Sequence, residues 1–162
     1  MTDPVTERLD RLERTVAALR DQVEIGQLIA GYGPLVDAGD ADAVAAMWTV
    51  DGGYDVEDWS MGSREEVRDM VTSEAHQGLI ARGSSHFLGP ARIRVDGDTA
   101  VAVCESLFVV HRDARFLVAR ASANRFDLAR VDGRWQIAQR TTRTLTGDER
   151  ARLLLGAAAP EA

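Results

Sequence analysis

IGQLIAGYGPLVDAGDADAVAAMWTVDGGYDV, residues 25–56, decides how this chain folds. Apolar residues recur at helical spacing through Ile25, Leu28, Ile29, Tyr32, Leu35 and Val36. Ala38-Gly39-Asp40 is a turn, and Asp40 is suited to cap a short helix over 41–48. Residues 50–56 read as a short strand interrupted by Gly52-Gly53. Working back toward the start, the helical pattern extends to residue 6, with a bend expected near Gly31, Gly33 and Pro34 because proline lacks a backbone donor. Leu9, Leu12, Val16, Leu19 and Val23 are spaced 3-4-3-4, a coiled-coil-like seam. That seam either packs onto the same domain or forms a subunit contact.

Working forward, Ser63 and Glu66 form an S-x-x-E capping box that opens a helix over 64–73. Residues 74–83 are irregular or a second short helix. Strand patterns then dominate: 85–95, 99–112, 115–131 and 135–145, separated by Asp96-Gly97-Asp98, Asp113-Ala114 and Asp132-Gly133. Three hairpin turns in succession predict an antiparallel meander. A last helix is expected over 147–155, followed by a frayed Ala/Pro tail. Helices first and a curled sheet after them give an α+β fold, a cone with helices on the concave face of the sheet and an apolar pocket inside.

Composition narrows the function. The 162 residues suffice for one domain, and the net charge of −7 argues against a nucleic-acid partner. All 19 basic residues are Arg. No apolar run approaches the roughly 20 residues of a membrane span, and MTDPVTERLD lacks a signal core, so a cytoplasmic location is expected. Cys104 is the only cysteine and lies in an apolar strand, which suggests a small buried hydrophobe. Three scattered histidines lack metal-ligand spacing, and no Gly-rich phosphate loop precedes a helix. The expectation is therefore no metal and no cofactor.

Three stretches together carry a family resemblance: residues 25–56, SSHFLGPARIRVDGDTA (84–100) and RVDGRWQIAQR (130–140). They resemble the SnoaL-like branch of the nuclear-transport-factor-two-like superfamily over residues 22–143. The expected domain spans 22–146, with a helical extension at 1–21 and a terminal helix and tail at 147–162. The superfamily holds cyclases, isomerases, dehydratases, dehydrochlorinases, epoxide hydrolases and binding modules, so fold alone does not name the chemistry. The site residues are most similar to those of scytalone dehydratase, hexachlorocyclohexane dehydrochlorinase and bile-acid 7α-dehydratase. That resemblance implies Asp37 and His86 as an acid/base dyad, Arg140 on the last strand and Tyr32 five residues before Asp37. It also implies His111, Ser122 and Asn124 as substrate contacts.

The residues make chemical sense in those roles. Histidine titrates nearest neutrality and can take and return a proton. A carboxylate on its far nitrogen fixes the tautomer and stabilises the imidazolium. Arg140 and Tyr32 could polarise a carbonyl or assist a departing hydroxide or halide. Taken singly, each has a plainer explanation: Asp37 as a cap, His86 as a core histidine, His111 as an exposed residue. Arg140 and Trp135 have opposite strand parity, so Arg143 is the alternative. Tyr54 and Trp48 are expected in the pocket wall, Trp59 and Met61 at its rim, and His76 at the surface. The expected function is a cofactor-independent lyase acting on a small hydrophobic cyclic substrate. A polyketide cyclase or ketosteroid-type isomerase, or a non-catalytic ligand-binding module, are the alternatives. A homodimer or homotrimer is expected, through the sheet at Ala119, Ala121 and Ala123 or through the N-terminal seam.

Overall fold

The computed structural model describes residues 3–157. Helix α1, Pro4–Ala38, opens the chain. Asp3 caps it by accepting from the Val5 N–H, and Pro4 stands at the start, where its missing N–H costs nothing. Gly39 ends it in the left-handed region (φ 73°), and the Asp40 N–H donates to the Leu35 carbonyl. α1 runs through Pro34, where a bend was expected, as one uninterrupted helix. Asp40 then caps α2, Ala41–Ala46.

Strands β1, Trp48–Val56, and β2, Trp59–Met61, form a hairpin. Helix α3, Arg64–Thr72, starts at Ser63, whose Oγ accepts from the Glu66 N–H; the Glu66 carboxylate returns to the Gly62 N–H. Ser73 both ends α3 and caps α4, Glu74–Arg82. The strand expected over 85–95 is two strands, β3, Ser84–Leu88, and β4, Arg92–Asp96. Proline at position 90 cannot donate to a ladder, so the chain breaks there and both pieces pair with β5 separately. β5, Thr99–Arg112, β6, Arg115–Val131, and β7, Arg134–Thr144, complete the meander. Helix α5, Glu149–Gly156, packs against β5, β6 and β7. The tail beyond residue 157, expected to fray, lies outside the described residues.

The sheet order is β2-β1-β7-β6-β5-β3, with β4 also on β5. Only β1 and β7 run parallel, so the sheet is mixed. Ile25, Ile29, Tyr32 and Val36 of α1 join Trp48, Phe126, Trp135 and Ile137 in the core. The α+β cone is as the sequence indicates. The alanines of β6 do not form one open face: Ala119 lines the pocket, while Ala123 is fully buried on the strand that α5 covers.

Two details position the site. At Gly33 a Cβ would lie 2.0 Å from the His86 carbonyl oxygen, so only glycine lets β3 run this close to α1. On β7, Asp127 faces Gln139 while Leu128 faces Ile137, which leaves Ala138 as a bulge. The bulge reverses parity, so Trp135, Ile137, Arg140 and Thr142 all end up buried.

Gly33→Ala should lower stability by about 2–3 kcal/mol, since the clash is with backbone that cannot move aside. Gly31→Ala, whose Cβ would meet nothing within 4 Å, should instead gain about 0.5–1 kcal/mol of helix propensity. Urea unfolding of the two variants measures both.

Candidate active site

The cone encloses a cavity of about 450 Å³. His86 enters it from β3, Tyr32 from α1, Tyr54 from β1 and Arg140 from β7. Trp59 stands half-exposed at the rim.

Asp37 sits one turn beyond Gly33 and grips β3. Its carboxylate accepts the His86 backbone N–H through Oδ2 (2.6 Å) and meets His86 Nδ1 through Oδ1 (2.6 Å). An acceptor-only partner requires Nδ1 to carry the hydrogen, so the neutral ring keeps its lone pair on Nε2. Burial pushes the His86 pKa below its ordinary 6.5, outweighing the opposing pull of Asp37; the nearby His76 and Arg140 act in the same direction as burial. The side chain is thus an unprotonated base near neutral pH. Phe108 stacks on its ring at 4.5 Å, and Tyr32 meets it edge-on at 6.3 Å.

Arg140 is 3% exposed and has no carboxylate within ion-pair distance among the described residues. Its charge is met by aromatic faces instead: Cζ lies 4.3 Å from the Tyr32 ring centroid, 4.5 Å from Tyr54 and 5.1 Å from Phe126. Asn124 Oδ1 accepts from Arg140 Nη2 (2.9 Å), from Nε (3.3 Å) and from Thr142 Oγ1 (2.8 Å). Asn124 Nδ2 donates to Ser106 Oγ (2.9 Å). Arg140 Nη1 is buried and makes no hydrogen bond. A buried donor left unmet costs free energy, and here it belongs to a side chain that lines the cavity. Burial, with Tyr54 beside it, pushes the Tyr32 phenol far above its usual range, so it stays a neutral hydrogen-bond donor.

Several expectations are corrected by packing. Trp48 is fully buried behind Tyr32 and Tyr54, with Nε1 donating to the Gly53 carbonyl, so it is core rather than pocket wall. His111 is exposed near the β5–β6 turn, against Phe116, outside the cavity. Ser122 is buried beside Ser106 and Thr144 but does not reach the cavity wall. Asn124 also lies behind the wall and acts through Arg140. Met61 is buried in the core, not at the rim. Arg143 points away and pairs with Asp55 (2.7 Å), which leaves Arg140 as the arginine of the cavity. Cys104 is buried, and burial pushes its thiol up to about 11.

His76 is the main residue the sequence did not reveal. It is buried in the cavity wall, its Nε2 3.0 Å from the Val36 carbonyl and its ring 5.9 Å from that of His86. Ser73 fixes where α4 starts, its Oγ accepting from the His76 N–H, and the docking of α4 turns the ring inward. Ser106, Phe108, Arg120 and Thr142 also line the cavity, by strand alternation whose inward face the sequence does not give. Among the described residues, no three His, Cys, Asp or Glu side chains gather as a metal site would require. No described helix is long and apolar enough to cross a membrane.

The family profile of the SnoaL-like domain matches residues 17–141, most of the chain. This chain belongs to the SnoaL-like domain family. Among solved structures, a nuclear-transport-factor-two-like protein with a cystatin-like fold from Novosphingobium aromaticivorans is 38% identical. The match covers 91% of this chain and 96% of that one, at a TM-score of 0.89. A protein of unknown function from Mycobacterium tuberculosis is 22% identical over 85% of this chain and 91% of its own, at a TM-score of 0.72. A putative scytalone dehydratase from Novosphingobium aromaticivorans is 18% identical over 82% and 89%, at 0.70; at that identity it shares the fold. No functionally curated protein matches the chain. In this SnoaL-like domain the family fixes the fold, and the activity resides in the cavity's own residues.

His86 should titrate below pH 6.5 and carry its neutral proton on Nδ1. With a folded pKa below the unfolded one, its stabilising contribution is fully present above pH 6.5 and lost as pH falls through that window. Imidazole NMR on uniformly labelled protein, alongside urea unfolding between pH 7.5 and 4.5, checks both the tautomer and the sign.

Proposed function

We propose that this SnoaL-like domain is a cofactor-independent lyase, of the dehydratase or dehydrohalogenase type, acting on a small hydrophobic cyclic substrate. The observation that carries the reading is the pairing of an unprotonated His86, held by Asp37 at 2.6 Å, with a buried Arg140 whose Nη1 has no partner. The non-catalytic alternative gains if Asp37 and His86 lie beyond hydrogen-bond reach with ligand bound; here their side chains are 2.6 Å apart.

His86 Nε2 takes a proton from a carbon next to a carbonyl, and Asp37 stabilises the imidazolium that forms. The Arg140 guanidinium and the Tyr32 hydroxyl, both in the cavity wall, donate to the oxygen on which negative charge develops. The C–H electron pair becomes the new C=C bond as the C–O bond breaks, and His86 returns its proton to the departing hydroxide as water. For a halide the leaving anion departs with its electron pair and the proton is released separately. No net oxidation occurs, so the step needs no redox cofactor. Tyr54, Phe108 and Trp59 supply apolar contact for a ring system. The same machinery would serve an isomerase or cyclase if the proton returned to carbon, and product mass separates those outcomes. The likeness in fold to a putative scytalone dehydratase supports this reading.

The remaining parts of the reading are a cytoplasmic location and self-association as a homodimer or homotrimer. Apolar side chains left open on the sheet, Phe87 and Leu107, and along α1 support the latter.

A panel of cyclic β-hydroxy and β-halo ketones, followed by mass spectrometry, tests the chemistry. Turnover with loss of water or hydrogen halide is expected. His86→Ala and Asp37→Asn should each lower kcat by about 10²–10⁴-fold while remaining folded. A mass-neutral product would replace elimination by isomerisation, and full activity in both variants would remove the dyad.

A further inference from the structure

Every described residue up to Arg20 is exposed, and burial starts at Asp21. Yet this segment carries a continuous apolar stripe: Val5, Leu9, Leu12, Val16, Leu19 and Val23, each 52–63% exposed. Six large aliphatic side chains in one row on one free helix is more than scattered surface hydrophobicity.

Their spacing is 4-3-4-3-4, a heptad seam with Leu9, Val16 and Val23 at a and Val5, Leu12 and Leu19 at d. The seam lies roughly 140° around the helix from the core-facing Ile25, Ile29, Tyr32 and Val36. At the outer f position, Asp21 bonds Arg130 (2.7 Å) and Trp135 Nε1 (3.1 Å), tying the back of α1 to the body. From Val5 to Val16 the seam meets nothing of its own domain among the described residues, while Leu19 and Val23 border a groove also lined by Gly26, Leu88, Pro90 and Ile93. The helix is already nucleated by its buried half, so ordering it costs little beyond what folding has provided.

We propose that this stripe is covered by the same stripe of a second copy, as a parallel two-stranded coiled coil over residues 5–23. The residue types support that stoichiometry: valine at two of three a positions with leucine at two of three d positions favours two strands. The flanking charges support the direction. In a parallel pair, Arg8 at g faces Glu13 at e of the other copy, twice by symmetry, and Thr15 faces Arg20 without conflict. An antiparallel pair that matches all six seam residues would instead bring the two Glu13 carboxylates together. The parallel pairing sets both cones on the outer sides of one twofold axis, with the seam running along a span of ~28 Å.

Sedimentation and light scattering on the full chain test this. Leu12→Glu combined with Leu19→Glu should halve the measured mass, while circular dichroism shows an intact fold, since neither side chain is buried. Arg8→Glu should weaken association by roughly 3- to 10-fold, and Arg8→Glu with Glu13→Arg should restore it. Leu12→Cys should oxidise to a covalent dimer. A monomeric wild type, as expected if another protein or a membrane surface covers the stripe, would overturn the proposal. An unchanged mass in the double Glu variant, as expected of association through the sheet alone, would do the same. Preferential cross-linking between Leu12→Cys and Val16→Cys proteins would overturn the parallel direction. None of these variants touches the cavity, so turnover in them is independent of the lyase reading.

Discussion

The close approach of α1 to β3 is the contact on which the cavity depends. Gly33 removes the side chain that would strike the His86 carbonyl. One turn later the Asp37 carboxylate binds both the backbone N–H and the ring of His86. A single residue thus fixes the strand's position and the ring's tautomer together. Gly39 ends the helix two residues on, so the carboxylate stands at the helix end rather than along a buried face.

Opposite this clamp, the electrostatics are deliberately unbalanced. Arg140 is buried without a carboxylate partner and is held by aromatic faces and by Asn124. Removing a guanidinium from water is costly unless its donors are met, and the two on Nη1 are not. His86, made less basic by burial and by positive charge nearby, stays neutral alongside it. The proposed lyase chemistry rests on this pairing of a neutral base with an unneutralised cation at one cavity.

Strand parity shows where reading the chain alone stops. Trp135 and Arg140 are five residues apart and should lie on opposite faces of a regular strand. The Ala138 bulge puts both inside and sends Arg143 to Asp55. No residue type marks that bulge; it follows from how β7 must pair with β6 on one side and β1 on the other. Residues such as Trp48 and Ser122 fail as pocket contacts for a related reason. They are buried behind the residues that line the cavity, and depth behind a wall has no one-dimensional signature. His76 is the converse, a polar residue on a short helix whose inward face is set by how α4 docks.

Local chemistry determined the elements: the helical spacing of residues 25–36, the Gly39 stop, the Asp40 and Ser63 caps and the three hairpin turns. Each is fixed by interactions within a few residues, which is why the α+β cone and the heptad seam of α1 were legible in the sequence. Tertiary structure alone decided that Pro34 would stay helical, that Pro90 would split a strand, and which of two arginines would enter the cavity. Those outcomes depend on contacts between segments far apart in the chain, where packing and register outweigh local preference.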